Sequence, residues 1–488
     1  MRIGELLIAQ GLVNEGDVEQ ARQRQVELGG RLGQNLVDIG ALTQEQLDSF
    51  LYAVPPEPGR IEDLDLGEGT LQALLLKTIL MRKLETTEQI GRALHVSNAV
   101  AAEALTLAAE NKLLEILGTT EAAFGSQYRY GLTVQGRAFA NDALELSKYV
   151  GPVPVSLIDY CDRIRRQKIN NEPVNKQRIE ESFSDLIVPP RLLNELGPAI
   201  NSGRSMLLYG APGNGKSSLA ERIGDAFRNT IFVPHCFEVD GEIIKVFDPT
   251  LHHVLEGADG NGKGGRSSLQ REGYDRRWVP VQRPLVTVGG ELTLEMLDLQ
   301  YEASSGFYEA PMHIKALNGI MMIDDFGRQL VPAEQLLNRW IIPLERRIDY
   351  LKLHTGKSFE LPFDSLVVFS TNLSPSALMD PAFLRRIPYK VEIHGPDEKD
   401  YRTIFAAVAK AASVPLEKAT QDFVIAYLSR GHVPLAAYHP KFITDQVVAA
   451  CKFEDRELGY HEDLVKRALQ NLITTSMEDF PEGIQLAS

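Results

Sequence analysis

Lys216 and Ser217 close the stretch MLLYGAPGNGKS, residues 206–217, in which an apolar run breaks into the spacing GxxxxGKS. Such a run predicts a buried strand that delivers a glycine-rich loop to a helix N-terminus. Glycines let backbone N–H groups wrap a phosphate, and the helix dipole favours its negative charge. The loop residues in reach are Gly210, Pro212, Gly213, Asn214, Gly215, Lys216, Ser217 and Ser218. Lys216 would meet the β- and γ-phosphates of ATP, and the Ser217 hydroxyl would sit on Mg2+. Further on, GIMMIDDFG (319–327) is an apolar run ending in two acids. Asp324 is placed to hold Mg2+ through water and Asp325 to polarise an attacking water. The run LVVFSTNL (366–373) ends in Thr371 and Asn372. The Asn372 amide would orient that water or sense the γ-phosphate, or else serve only its own turn. Arg385 and Arg386 stand at a helix end before a strand in DPAFLRRIPYKVEI (380–393), where they could project to a neighbouring subunit and stabilise transition-state charge. Lys441, in YHPKFI (438–443), opens a helix from which it could approach the phosphates.

Those side chains need a large scaffold. With 488 residues the chain exceeds one hydrophobic core, and three or so domains are expected. Hydrophobic content of 44% and charged content of 24% are those of ordinary globular protein. A net charge of −15 opposes broad nonspecific binding to nucleic acid or acidic membranes. Cys161, Cys236 and Cys451 lie far apart with no CxxC, which predicts buried thiols in a reducing compartment. No apolar run approaches ~18 residues, and MRIGELLIAQ lacks a cleavage signature, so a cytoplasmic protein without membrane insertion is expected.

Pro and acidic residues at 54–68 and VGPVP at 150–154 punctuate the chain. They divide it into a module at 1–54, a linker at 55–70, a middle domain at 71–150, a connecting segment at 151–182 and a nucleotide-binding body from 183. The first module repeats itself at an offset of 29 residues: RIGELLIAQGLV from Arg2 and RLGQNLVDIGAL from Arg31. Arg2/Arg31, Gly4/Gly33, Leu7/Leu36, Ile8/Val37 and Gly11/Gly40 recur in step. Each half predicts a short helix, a Gly turn and a second helix capped by Asn14 or Thr43, and the two halves would share one core. This repeat resembles the MshEN-type cyclic di-GMP-binding domain, with motifs at 2–25 and 31–54 around the spacer VELGG. The resemblance implies cyclic di-GMP as a ligand of Arg2, Gly4, Leu7, Gly11, Gln25, Arg31, Gly33, Leu36 and Gly40. Arginine suits guanine edges and phosphates, and glycine admits a close backbone. Val18 and Arg22 stand at two Leu positions of that pattern, and Val54 replaces its second Gln. A helical docking module with solvated arginines is the other reading.

The middle domain reads as helices at 71–83, 86–95 and 97–117, a loop, the strand-like QYRYGLTV (127–134) and a helix at GRAFANDALEL. That order resembles a winged helix. Its third helix carries Glu103 and Glu110 against Lys112 alone at 97–112, and Arg129 and Arg137 add little, so phosphate would repel it. A protein-contact role is preferred to DNA binding.

From 183 onward the motif order is similar to that of the AAA+ ATPase family: Walker A, Walker B, sensor one, arginine finger and a lid helix with sensor two. The resemblance implies a parallel αβα sheet (183–396), a helical lid (397–488), ATP at subunit interfaces and a homo-oligomer, commonly a hexamer. It implies Lys216 and Ser217 as Walker A, Asp324 as Mg2+ ligand and Asn372 as sensor one. Arg386 is the first choice of finger, since LRRI resembles a stretch of MoxR-like members, and Arg385 the second. Asp325 stands where most members have Glu, and Lys441 replaces the usual Arg. A long insertion, 237–315, carries a predicted helix and then SSGFYEAP, similar to the helix-two inserts of remodelling ATPases. Phe307 and Tyr308 there would grip a partner or simply pack. It lacks the GAFTGA loop of alternative-sigma-factor activators. GNGKGG (260–265) has no preceding strand and reads as a loop, and TGKS (355–358) as a hairpin turn.

The expected architecture is therefore multidomain: an α-helical N-terminal module, a winged-helix-like α+β middle domain, and an α/β P-loop AAA+ core with a C-terminal helical lid. The expected activity is ATP hydrolysis that remodels or assembles a protein partner under cyclic di-GMP control, in motility, pilus or secretion pathways. An ATP-gated DNA-binding transcription regulator is the alternative.

Overall fold

The computed structural model describes residues 3–122, 125–255, 274–378 and 381–473. Five short strands form its central sheet: β1 (Met206–Tyr209), β2 (Leu285–Val288), β3 (Ile320–Ile323), β4 (Leu366–Thr371) and β5 (Tyr389–Glu392). All neighbours pair parallel, in the order β5-β1-β4-β3-β2. Parallel sheets are covered on both faces, which is why β1, β3 and β4 are buried almost throughout, whereas the edge strand β5, YKVE, alternates and buries Val391 between exposed Lys390 and Glu392. Successive residues nevertheless enter different cores. Leu207, Met321, Val367 and Phe369 join one cluster, and Met206, Leu208, Ile320, Met322 and Val368 join the other. The second cluster is closed by the helices Pro190–Ser202 and Lys216–Asp225.

The insertion after the phosphate-loop helix builds a second, mixed sheet rather than the expected helix. Gln300–Glu302 and Phe307–Glu309 form a hairpin, Phe307–Glu309 pairs parallel with Glu242–Lys245, and Cys236–Val239 and Val155–Ser156 complete five strands. Only a short 3-10 turn, Glu295–Leu297, remains of the predicted helix. Tyr308 is buried and its hydroxyl accepts from the His354 backbone N–H at 2.8 Å, while Phe307 meets Tyr149 edge-on at 5.7 Å. Both aromatics are packed. TGKS does form a turn, between the antiparallel strands Ile348–Lys352 and Ser358–Pro362. GNGKGG lies outside the described residues.

The middle region has helices Glu68–Arg82, Thr87–Leu94 and Asn98–Glu110, then the hairpin Leu114–Ala122/Gly125–Leu132 and the helix Val134–Leu146. The helix expected to run to 117 stops at Glu110. Lys112 takes a left-handed φ of 61°, and the apolar LLEIL that continues the helical pattern becomes a strand. Leu113 N–H then donates to Ala108 O at 2.9 Å, ending the helix.

The N-terminal repeat folds as four helices, Ile3–Ala9, Glu15–Leu28, Leu32–Asp38 and Gln44–Ala53. Its two halves obey the same local rules. Asn14 and Thr43 each cap a helix through a capping box with Asp17 and Gln46, worth about 1 kcal/mol per cap. The segments on either side of the middle region are built into the body. Leu64 is fully buried, Asp275 N–H donates to Pro55 O at 3.0 Å, and the Arg163 guanidinium donates to Ala53 O. Beyond β5 come four helices, Glu398–Ala411, Lys418–Arg430, His439–Phe453 and Glu462–Leu472, around Tyr401, Phe405, Val424, Ile443 and Val465. Among the described residues no helix is long and apolar enough to cross a membrane.

Candidate nucleotide site

The carboxyl ends of β1, β3 and β4 lie side by side, and their loops carry the predicted residues to one crevice. β4 stands between β1 and β3, so Asn372 is set between the lysine of one loop and the acids of the other. The Lys216 ammonium donates to Asn372 Oδ1 at 2.6 Å and to Gly210 O and Ala211 O, each at 3.0 Å. Asn372 Nδ2 donates to Asp325 Oδ1 at 3.1 Å. The Ser217 hydroxyl donates to Asp324 Oδ2 at 2.8 Å, and Asp325 N–H donates to Asp324 Oδ1 at 2.9 Å. Burial pushes the Lys216 ammonium below its usual pKa, while Asp324 and Asp325 oppose that fall.

Asp325 holds a left-handed φ of 46°, unusual for a residue with a side chain and worth ~1–3 kcal/mol of strain. The surroundings hold it there. Gln329 Nε2 donates to Asp324 O at 3.1 Å, Gln329 Oε1 accepts from Gly327 N–H at 2.8 Å, and Thr371 Oγ1 donates to Phe326 O at 2.7 Å.

Two loop glycines are required by close approach as well as by backbone angle. A methyl at Gly210 (φ 144°) would lie 2.2 Å from Ile393 O, and one at Gly213 (φ 77°) would lie 2.2 Å from Tyr438 Cδ1. Gly215 caps the helix Lys216–Asp225 in left-handed conformation, which turns its free N–H groups toward the loop. Pro212 is exposed and Ser218 half-buried. The C-terminal helices reach the loop through Tyr438 N–H, which donates to Gly213 O at 3.0 Å, and Ala437 N–H, which donates to Asn214 Oδ1 at 3.2 Å. Lys441 is turned along its own helix, 71% exposed and paired with Asp445 at 2.7 Å.

Beside the loop a cavity of ≈ 290 Å³ is bounded by Ile187, Val188, Tyr209, Ile393, Asp400 and Ala437. Its apolar walls suit the flat face of a base. A larger cavity, ≈ 420 Å³, opens at the other end of β1, where Arg165, Arg204 and Arg347 meet the C-termini of three helices and offset their dipoles.

Arg386 is tied within its own chain, its Nε 2.6 Å from Glu345 Oε1, whereas Arg385 is exposed. In the N-terminal repeat, Leu7 and Leu36 are fully buried. A methyl at Gly4 would press on Val18 Cγ1 (2.9 Å), and one at Gly33 on Leu47 Cδ1 (2.7 Å), so these glycines admit the facing helix. Gly11 and Gly40 take left-handed turns (φ 68° and 76°), Gln25 Nε2 donates to Gly30 O at 2.9 Å, and Arg31 is exposed. Arg2 lies outside the described residues.

Sequence reasoning missed Gln329, Tyr438 and the Ile187–Val188 wall. Only the last left a signal, an apolar pair before the prolines that start a helix.

A family model described as a domain of unknown function (DUF8689) matches residues 397–471. That span opens on Asp397, the side-chain cap of the first C-terminal helix. None of the curated proteins matches. Among solved structures, NtrX from Brucella abortus is 12% identical, with 62% of this chain and 59% of that chain covered and a TM-score of 0.38. The Thermotoga maritima RuvB Holliday junction branch migration motor is 16% identical, with 65% and 76% covered and a TM-score of 0.31. The chain thus spans 59% of the length of NtrX. These likenesses are distant.

Proposed function

We propose that the chain is an AAA+ type ATPase that hydrolyses ATP to remodel or assemble a protein partner. The observation that carries this is the joined set Lys216–Asn372–Asp325 and Ser217–Asp324 at the end of a parallel sheet, above a loop with helix N–H groups turned inward. With ATP bound, Lys216 exchanges its two loop carbonyls for phosphate oxygens. Asp325 accepts a proton from a water aimed by Asn372, and that oxygen bonds to the γ-phosphorus as the bond to the β-bridging oxygen breaks, giving ADP and phosphate. The base lodges in the Ile187–Val188 cavity.

The hard oxygens of Ser217 and Asp324, already in contact, fit Mg2+. Ser217 and Asp324 would hold the ion together with oxygens of the bound phosphates. When bound, Mg2+ neutralises charge on the phosphates.

The finer reading is a homo-oligomer, hexameric by resemblance, in which Arg385 or Arg386 reaches a neighbouring site. Cyclic di-GMP at the N-terminal repeat would bias the assembly by binding one of its states better than another. Motif spacing supports that ligand, with Arg31 exposed for it. The DNA-binding alternative finds little support, because Glu103 of helix Asn98–Glu110 accepts from Ile61 N–H and the helix carries no basic residue. Phosphate release measured across a cyclic di-GMP titration tests both levels. Lys216→Ala is expected to abolish turnover, and Arg31→Ala to abolish only the response to cyclic di-GMP. Turnover that survives Lys216→Ala would place the chemistry elsewhere. A rate and a calorimetric titration that both ignore cyclic di-GMP would reduce the repeat to a docking module.

A further inference from the structure

We propose that Tyr438 is a positioning residue through which the C-terminal helical unit reads the state of the phosphate loop, an inference that rests on the ATPase reading above. The contact is made by main chain and ring together. Tyr438 N–H donates to Gly213 O at 3.0 Å, and next to it Ala437 N–H donates to Asn214 Oδ1 at 3.2 Å. The Tyr438 ring covers the face of Gly213 that a side chain would occupy, with Cδ1 2.2 Å and Cε1 2.8 Å from where a methyl carbon would stand. Gly213 is therefore glycine for two reasons, its φ of 77° and the ring upon it.

The latch is coupled to the catalytic lysine. Asn214 Nδ2 donates to Ala211 O at 3.5 Å, and the Lys216 ammonium donates to the same carbonyl at 3.0 Å. When Lys216 leaves Ala211 O for a phosphate, the Asn214 amide takes up the vacated acceptor, and its Oδ1 moves with it under Ala437. On the other side the signal has a packed route. The Tyr438 ring meets His439 at 4.6 Å, and His439 meets the fully buried Tyr401 at 6.3 Å, inside the C-terminal core. Lys441, one turn further along the same helix, points to solvent and pairs with Asp445. The route that the packing provides runs through the loop backbone at Gly213 and the Tyr438 ring.

The test uses the full chain with Tyr438→Ala and Tyr438→Phe. Tyr438 is 43% exposed and outside the C-terminal core, so both variants keep the fold. Hydrogen exchange is followed over 434–453 with and without a non-hydrolysable ATP analogue and Mg2+, together with kcat and KM for ATP. The wild type should change protection there on binding the analogue, and Tyr438→Phe, which keeps the ring and the N–H, should match it. Tyr438→Ala should lose that response and about tenfold in kcat, with KM within about threefold, as expected of a residue that gates closure. Tyr438→Ala with the wild-type response and kcat would overturn the proposal while leaving the ATPase reading intact. Protection lost across 434–453 even without nucleotide would also overturn it, making Tyr438 a structural residue. A wild type that neither binds the analogue nor releases phosphate would overturn the ATPase reading and this proposal with it.

Discussion

Asn372 does two jobs at once, accepting from the Lys216 ammonium and donating to the Asp325 carboxylate. An alanine there removes the acceptor of a partly buried cation and frees a strained aspartate. Asn372→Ala is therefore expected to lower kcat by about 10²-fold while leaving nucleotide affinity within a few-fold, because the loop N–H groups are untouched. A KM that rose as far as kcat fell would assign Asn372 to binding. Most of the residues in this crevice were legible from the chain, because each stands at the end of an apolar run and the phosphate loop sets the frame. Gln329 and Tyr438 were not. Gln329 works through two main-chain carbonyls of its own turn, and no residue pattern marks that. Tyr438 acts across more than two hundred positions of sequence, where only the fold makes neighbours.

At the scale of elements, local signals held and non-local pairings were hidden. The repeat was visible because its caps and turns are local, and Asn14/Thr43 and Gly11/Gly40 act within a few residues of themselves. The strand Gln300–Glu302 was not visible, since its ladder runs to Phe307–Glu309 and from there to Glu242–Lys245. The third helix of the middle region ends at Glu110 rather than at 117 for a similar reason. LLEIL keeps a helical pattern but pairs with Gly125–Leu132.

The helix His439–Phe453 carries a testable pH dependence. Burial pushes the His439 imidazole down to about 4, and its Nδ1 accepts from Ala436 N–H, a bond that requires that nitrogen unprotonated. As pH falls from the unperturbed value of ~6.5 towards 4, the unfolded chain takes up a proton that the native chain refuses, so stability falls across that window. His235, pushed to about 3 by burial, acts with the same sign at the insert. Protection of helix His439–Phe453 should weaken between pH 6.5 and 4 and weaken less in His439→Asn, which keeps an acceptor but does not titrate. An equal loss in wild type and variant would remove His439 from this account.

At the scale of the whole molecule the question is how sites meet. Arg386 pairs with Glu345 within its own chain and Arg385 is exposed, so the proposed action of an arginine on a second copy is tested first at Arg385. Mixing Arg385→Ala chains with Lys216→Ala chains should restore part of the turnover that each lacks alone, because one supplies an intact phosphate loop and the other the arginine. Mixtures as inactive as their parts would confine Arg385 to its own subunit. The end of the N-terminal repeat is joined to the same body, where the Arg163 guanidinium donates to Ala53 O and Asp275 N–H donates to Pro55 O.

The most direct test of the central claim is phosphate release from ATP and Mg2+ by the full chain beside its Asp325→Asn variant, with analogue binding measured in both. Wild-type turnover should fall by about 10²-fold or more in the variant while binding persists, since the lost carboxylate is the group proposed to take the water's proton. Equal turnover in the two proteins would contradict it.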